Sequence, residues 1–137
     1  MDEAVGLENL YQACVAGQID KVQSILGLNP QWIAARLGTG GWTPLMVAAF
    51  NQRLELVRWL LESGNASISE TNSKGTTVLM YAKTRYKERG DFALLDYLFS
   101  RGADINAKDA KGLTVSDYVR SQGDHYLLDY LKKHGAH

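Results

Sequence analysis

The sequence predicts an all-α solenoid of about four helix-turn-helix units joined by extended turns. Three observations lead there. The phrase "LLDYLFSRGA" at 94–103 returns as "LLDYLKKHGA" at 127–136, an offset of 33 residues. The apolar anchors Val22, Val57, Leu95 and Leu128 are spaced 35, 38 and 33 residues apart. A glycine column, Gly6, Gly41, Gly75 and Gly112, moves in step at 35, 34 and 37. Columns that repeat in register at this period mark a stacked array rather than one closed core.

Each unit reads as turn, first helix, tight loop, second helix and extended return. Thr43, Thr77 and Thr114 follow the turn glycines and can cap the first helix, and Pro44 sits at a first-turn position where a missing N–H costs nothing. Ala48 and Ala49 let neighbouring helices approach closely. Gly17, Gly90 and Gly123 break the chain between paired helices, and Gly64, Gly102 and Gly135 supply a left-handed stop after the second helix; Asn29 stands where the glycine of the first unit would be. The column Ile33, Ile68, Ile105 precedes each turn. One such hairpin cannot bury its apolar face, whereas four stacked hairpins bury a continuous one.

The stretches "GWTPLMVAAFNQRLELVRWLLESG" and "LFSRGADINAKDAKGLT" resemble ankyrin repeats. The family's Thr-Pro-Leu-His-x-Ala signature is similar to residues 43–48, with Met46 in place of histidine, and the likeness spans about residues 6–136 in units of approximately 6–38, 39–72, 73–109 and 110–136. The whole chain, 1–137, is thus expected to form one ankyrin-repeat domain. Met46, Met80 and Asp117 occupy the histidine positions, so the hydrogen bond that the family uses there must be lost or replaced. The third unit is four residues longer than the pattern, since Gly90 stands where the family would place a glycine at 86. Four residues make about one helical turn. The first helix of that unit is therefore expected to protrude by a turn carrying Arg85, Tyr86, Lys87 and Arg89, with Lys83 beneath. The series Leu61, Phe99, Lys132 and the polar Arg120, Ser121 and Gln122 make the fourth unit a terminal cap.

Composition narrows the function. The 137 residues carry fifteen Lys+Arg against fifteen Asp+Glu, so no net positive field collects phosphates, and a nucleic-acid partner is not expected. "MDEAVGLENL" lacks the basic and apolar regions of a secretory signal, and no run approaches the ~18 apolar residues of a membrane span. The single Cys14 makes no internal disulfide and suits a reducing compartment; a soluble, cytoplasmic monomer is the expectation.

Catalysis needs converging groups, and the sequence offers none. His125, His134 and His137 crowd into the last 13 residues without a metal-binding spacing and read as a frayed, solvated tail. Cys14 shares a column with Ala49, Lys83 and Arg120 and reads as a packed small residue rather than a nucleophile. "LGTGGWT" at 37–43 lacks the Lys-Ser/Thr of a phosphate loop and reads as the turn between units. No enzyme, metal or cofactor is expected.

What the resemblance implies is a protein-binding module that grips its partner with turn tips and first helices lining a concave groove. Carried onto this sequence, the groove takes Trp42, Phe50 and Asn51 from unit two, Lys74, Thr76, Tyr81, Arg85 and Tyr86 from unit three, and Lys111 and Leu113 from unit four. Trp42 and Phe50 are either interface anchors or rings folded onto neighbouring units. The basic set Lys83, Arg85, Lys87, Arg89 is either a solvated helix end or a dock for an acidic partner. Trp59, Tyr97 and Tyr130 form a half-buried ladder on the second helices or a second binding face. The partner is a protein of unknown identity, bound by a scaffold or, alternatively, by an inhibitor or immunity-type protein that occludes one partner's active site.

Overall fold

A computed structural model describes residues 2–137; Met1 of the opening stretch lies outside the described residues. The helices come in antiparallel pairs: α1 (Glu3–Ala16) with α2 (Ile19–Leu28), α3 (Pro44–Phe50) with α4 (Leu54–Glu62), α5 (Val78–Thr84) with α7 (Ala93–Ser100), and α8 (Val115–Gln122) with α9 (His125–Lys133). A 3-10 turn, Pro30–Ala34, follows α2, and a four-residue helix α6 (Tyr86–Arg89) stands between α5 and α7. First helices stack in the order α1, α3, α5, α8, and α2, α4 and α7 stack behind them.

The repeat columns are the core. Leu60, Leu98 and Leu131 on the second helices are fully buried, as are Leu10, Leu45, Ala48 and Ala49 on the first. Cys14 is fully buried and its thiol is pushed up to about 12 by burial, so it packs as a small apolar residue.

Thr43, Thr77 and Thr114 cap α3, α5 and α8, accepting from the backbone N–H of Met46, Met80 and Asp117 at 3.3, 3.1 and 3.2 Å. In units two and four the lost histidine is replaced in different ways. Thr43 donates its hydroxyl to Glu70 in the following return segment, and Asp117 closes a capping box by accepting from Thr114 N–H at 2.9 Å. Burial pushes the Glu70 carboxyl up, against the lowering effect of the Thr43 hydrogen bond and Arg36.

Between units the chain forms short fingers. Leu37 pairs with Trp42, and Thr71 with Thr77, as isolated antiparallel bridges. At the fingers of units three and four, Asn72 Oδ1 accepts from Lys74 and Thr76 N–H, both at 2.9 Å, and Asp109 Oδ1 accepts from Lys111 and Leu113 N–H at 2.9 and 3.1 Å. Each turn residue is in turn held by a tyrosine: Asn72 Nδ2 donates to Tyr81 Oη at 2.6 Å, and Tyr118 donates to Asp109. The fingers also bond to one another, Ser73 N–H to Gly40 O at 3.4 Å and Ala110 N–H to Lys74 O at 2.9 Å. Gly75 is required twice there: its φ is 75°, and a Cβ would sit 2.9 Å from the Ala110 nitrogen.

Several expectations are corrected. Gly6 lies inside α1 and is buried; Asp2 caps a helix that starts at Glu3, so unit one opens with helix rather than with a turn. Asn29, where the glycine of the first unit would be, caps α2 at φ −136° and ψ 70°, and the chain continues directly into the Pro30–Ala34 turn. Gly64 is not left-handed either. Asn65 takes that role at φ 65°, and Gly64 is small for a different reason: a Cβ would meet the Leu60 carbonyl at 3.0 Å and the Trp59 ring at 3.3 Å.

The extra residues of unit three do not continue the first helix. The chain breaks at Arg85 (φ −118°, ψ 25°) and resumes as α6, in which Tyr86 is buried at 8% exposure. Its ring stacks on Phe92 at 5.4 Å and its hydroxyl donates to Asp124 at 2.7 Å; an amphipathic ring gains more from that site than from solvent. Lys83 is likewise buried, its ammonium 5.7 Å from the Tyr118 ring centre, and burial pulls its pKa down. The C-terminal tail is not frayed: His134 stacks on Phe99 at 4.6 Å, and Asn106 Nδ2 donates to Gly135 O at 3.1 Å.

Candidate functional site

The residues named from the sequence fall into three places. Trp42, Phe50, Asn51, Tyr81 and Arg85 come together on the concave side; Lys74, Thr76, Lys111 and Leu113 lie on the fingers of units three and four; Tyr86 is buried under unit four and cannot touch a partner directly.

Unit two builds the concave cluster. The bridge between Leu37 and Trp42 fixes the base of its finger, with Trp42 N–H to Leu37 O at 3.0 Å, and α3 starts two residues later. With only seven residues in α3, the Trp42 indole reaches Phe50 at the far end of the helix: their rings meet edge-on at 5.4 Å and 85°. Tyr81, from α5, lies 4.1 Å from Trp42 and edge-on to Phe50 at 6.4 Å. The Arg85 guanidinium sits 5.1 Å from the Phe50 ring centre and donates to Asn51 Oδ1 at 2.9 Å.

Trp42 and Phe50 form one wall of an open apolar cavity of about 480 Å³ between α1 and α3. Tyr11, Val15, Leu37, Gly38 and Val47 also line it, together with the polar Glu8, Gln12 and Asn51. Val15 and Leu37 are 41% and 37% exposed, so the apolar wall is open to solvent rather than collapsed. This is the shape of a ligand-binding concavity: apolar walls with a few polar groups at the rim.

The sequence reading missed the unit-one half of this cavity. The signal was available, because the column that aligns Cys14 with Ala49 also aligns Val15 with Phe50. Expecting Gly6 to open unit one as a turn hid that its helix is 14 residues long and forms a full wall of the groove.

The fingers present Lys74 and Lys111 to solvent, while Thr76 and Leu113 are half-buried. Burial alone would raise the Asp109 carboxyl, but hydrogen bonds from Tyr118 and from Leu113 and Lys111 N–H outweigh it and hold the group below its ordinary value. On the other side of the array, Trp59, Tyr97 and Tyr130 are half-buried, with Arg58 5.4 Å from the Tyr97 ring centre and Tyr130 stacked 3.9 Å from Phe92. Among the described residues no three His, Cys, Asp or Glu side chains gather to hold a metal ion, and no helix is long and apolar enough to cross a membrane.

A family model for ankyrin repeats, in three copies, matches residues 10–109. Among curated proteins, the chain is 40% identical over 96 residues to "Ankyrin repeat, SAM and basic leucine zipper domain-containing protein 1" of Ornithorhynchus anatinus, covering 69% of this chain and 20% of that protein. It is 34% identical over 96 residues to the protein of the same name in Dasypus novemcinctus, covering 70% and 20%. It is 29% identical over 123 residues to "Ankyrin repeat and SAM domain-containing protein 6" of Rattus norvegicus, covering 90% and 13%. The chain thus spans a fifth or less of the length of these relatives.

Proposed function

The chain belongs to the ankyrin-repeat family, a family of protein-interaction modules, and on that premise we propose that its concave groove binds one protein partner and performs no catalysis of its own. The observation that carries this reading is the open cavity of about 480 Å³ walled by Trp42 and Phe50. An aromatic held by neighbouring rings beside an apolar hollow loses little freedom on binding, which is why such residues concentrate interface energy. Lys74 and Lys111 on the fingers supply the rim, where charge sets association rate and salt sensitivity more than dissociation. In this reading the four helix pairs act as one domain, and the protein works as a cytoplasmic monomer without nucleic acid, cofactor or metal.

Affinity capture from a native lysate with the wild-type chain, Trp42→Ala and Trp59→Ala tests the groove. The expected outcome is a partner retained by Trp59→Ala and lost by Trp42→Ala, both variants being folded by circular dichroism. The opposite pattern moves the interface to the second helices and ends the groove reading. Should the partner be an enzyme or toxin whose activity falls on addition of this chain, the role is inhibition by occlusion; unchanged activity assigns a scaffold.

A further inference from the structure

The four-residue extension of unit three creates a second hollow beside the apolar one. A polar cleft of about 360 Å³ lies between the loop after α3 and the inserted helix α6, and Arg53, Arg85 and Arg89 converge on it. Two carboxylates line it as well, and both are already engaged: Glu88 with Arg85 at 2.7 Å and Asp91 with Arg89 Nε at 2.9 Å. Arg53 has no carboxylate within ion-pair distance among the described residues. Its Nε donates to the Val15 carbonyl at 2.9 Å and its stem packs against Gly17, where a Cβ would meet Arg53 Cδ at 2.8 Å. Backbone contacts therefore fix this guanidinium while its two terminal nitrogens are left to accept a ligand. Glu55 lines the adjoining hollow without pairing with Arg53.

Asn51 lines both the polar cleft and the apolar cavity, and Arg85 joins them by lying over Phe50 while bonding Asn51. An extended chain crossing Asn51 meets an apolar wall on one side and three guanidinium groups on the other. With two of the three positive charges matched internally, the cleft has one positive charge left over, which suits a singly charged carboxylate; a phosphate dianion would overshoot it.

We infer that this cleft receives an Asp or Glu side chain of the partner, carried on an extended segment whose neighbouring large apolar residue enters the Trp42–Phe50 cavity. The inference rests on the groove reading and adds the chemistry of the segment bound. It also gives the insertion of unit three a purpose: α6 is one wall of the carboxylate site.

Panning a phage-displayed random peptide library against the intact chain, and titrating the enriched peptide by fluorescence anisotropy, tests it. Enriched sequences should carry Asp or Glu at a fixed spacing from a large apolar residue. Replacing that carboxylate by its amide should weaken binding to the wild-type chain about tenfold at low salt. The double variant Arg53→Gln/Arg89→Gln should bind acid and amide peptides equally, lose the salt dependence seen with the wild type, and melt at the wild-type temperature. No enrichment, no recurrent acidic position, or equal binding of acid and amide peptides by the wild-type chain overturns the inference without recourse to a variant. Tighter binding of a phosphoserine peptide than of the Asp peptide overturns the assignment to a carboxylate. Trp42→Ala separates the two readings: intact peptide binding there with loss in the arginine variant overturns the groove alone, and the reverse overturns the cleft alone.

Discussion

On the concave face Trp42 meets Phe50 edge-on at 85°, whereas between α7 and α9 Phe92 lies nearly flat against Tyr86, Tyr126 and Tyr130 at 22°, 25° and 22°. In the stacked set Tyr86 and Tyr130 donate their hydroxyls to Asp124 and Asp96, and Phe99 and His134 extend the pile toward the C-terminus, while Tyr126 is 72% exposed. The edge-on set leaves an apolar hollow open to solvent. Parallel stacking covers ring faces and holds units three and four together. Edge-on packing of Trp42, with Tyr81 4.1 Å away, holds the indole in place while apolar surface stays available. Aromatic content alone does not distinguish a fastener from an anchor; ring geometry and the company of hydrogen-bonding partners do.

The largest test of this contrast is removal of the inserted turn. Deleting Tyr86–Arg89 restores the family spacing, yet it takes out a buried ring and leaves Asp124 without its Tyr86 donor, so the loss of stability should be about 3–5 kcal/mol in urea denaturation. A midpoint equal to that of the parent would mean that α6 is a dispensable ornament. Phe92→Ala, at the centre of the stack, should cost about 2–4 kcal/mol of stability by the same measurement and leave partner affinity unchanged in the folded fraction. Trp42→Ala should show the inverse: roughly 2–4 kcal/mol of binding energy lost by titration calorimetry with a smaller change in stability. If Trp42→Ala unfolds the protein as readily as Phe92→Ala, both clusters are fasteners and the distinction fails.

The smallest expected effect compares the fingers of units three and four. Asn72 already performs at unit three what Asp109 performs at unit four, so Asp109→Asn should change stability at neutral pH by no more than about 1 kcal/mol. The acid limb should differ. Since the folded-state pKa of Asp109 is depressed, its contribution is complete above the ordinary carboxylate range and is lost as pH falls through the lowered value. Thermal melts across the acid range should show that loss in the wild type and a smaller one in Asp109→Asn. An identical acid limb would remove Asp109 as its source.

Local chemistry repeated in register made most of the architecture legible. Thr43, Thr77 and Thr114 announce helix starts, Gly17, Gly90 and Gly123 adopt left-handed backbone at φ 72°, 84° and 75° between paired helices, and the leucine columns are buried as the period requires. The departures were legible only in part. The missing histidines and the four extra residues are visible as letters, but what replaces or absorbs them is not. Gly64 reads as a left-handed stop until Asn65 is found carrying the positive φ, and Tyr86 reads as an exposed residue until the break at Arg85 turns it under unit four.

By itself the sequence determined the family, the stacking period and the capped first helices, because each follows from a residue's own conformational preference or from its column in the repeat. Tertiary structure decided which aromatic rings close on one another and which leave a hollow, that the α1 residues Tyr11 and Val15 share that hollow with α3, and that Arg53 and Arg89 meet across an insertion. Those outcomes depend largely on where segments far apart in sequence come to rest, as when Arg53 fixes on the Val15 carbonyl 38 residues away. Such placements are set by packing of whole units against each other, and no local propensity encodes them.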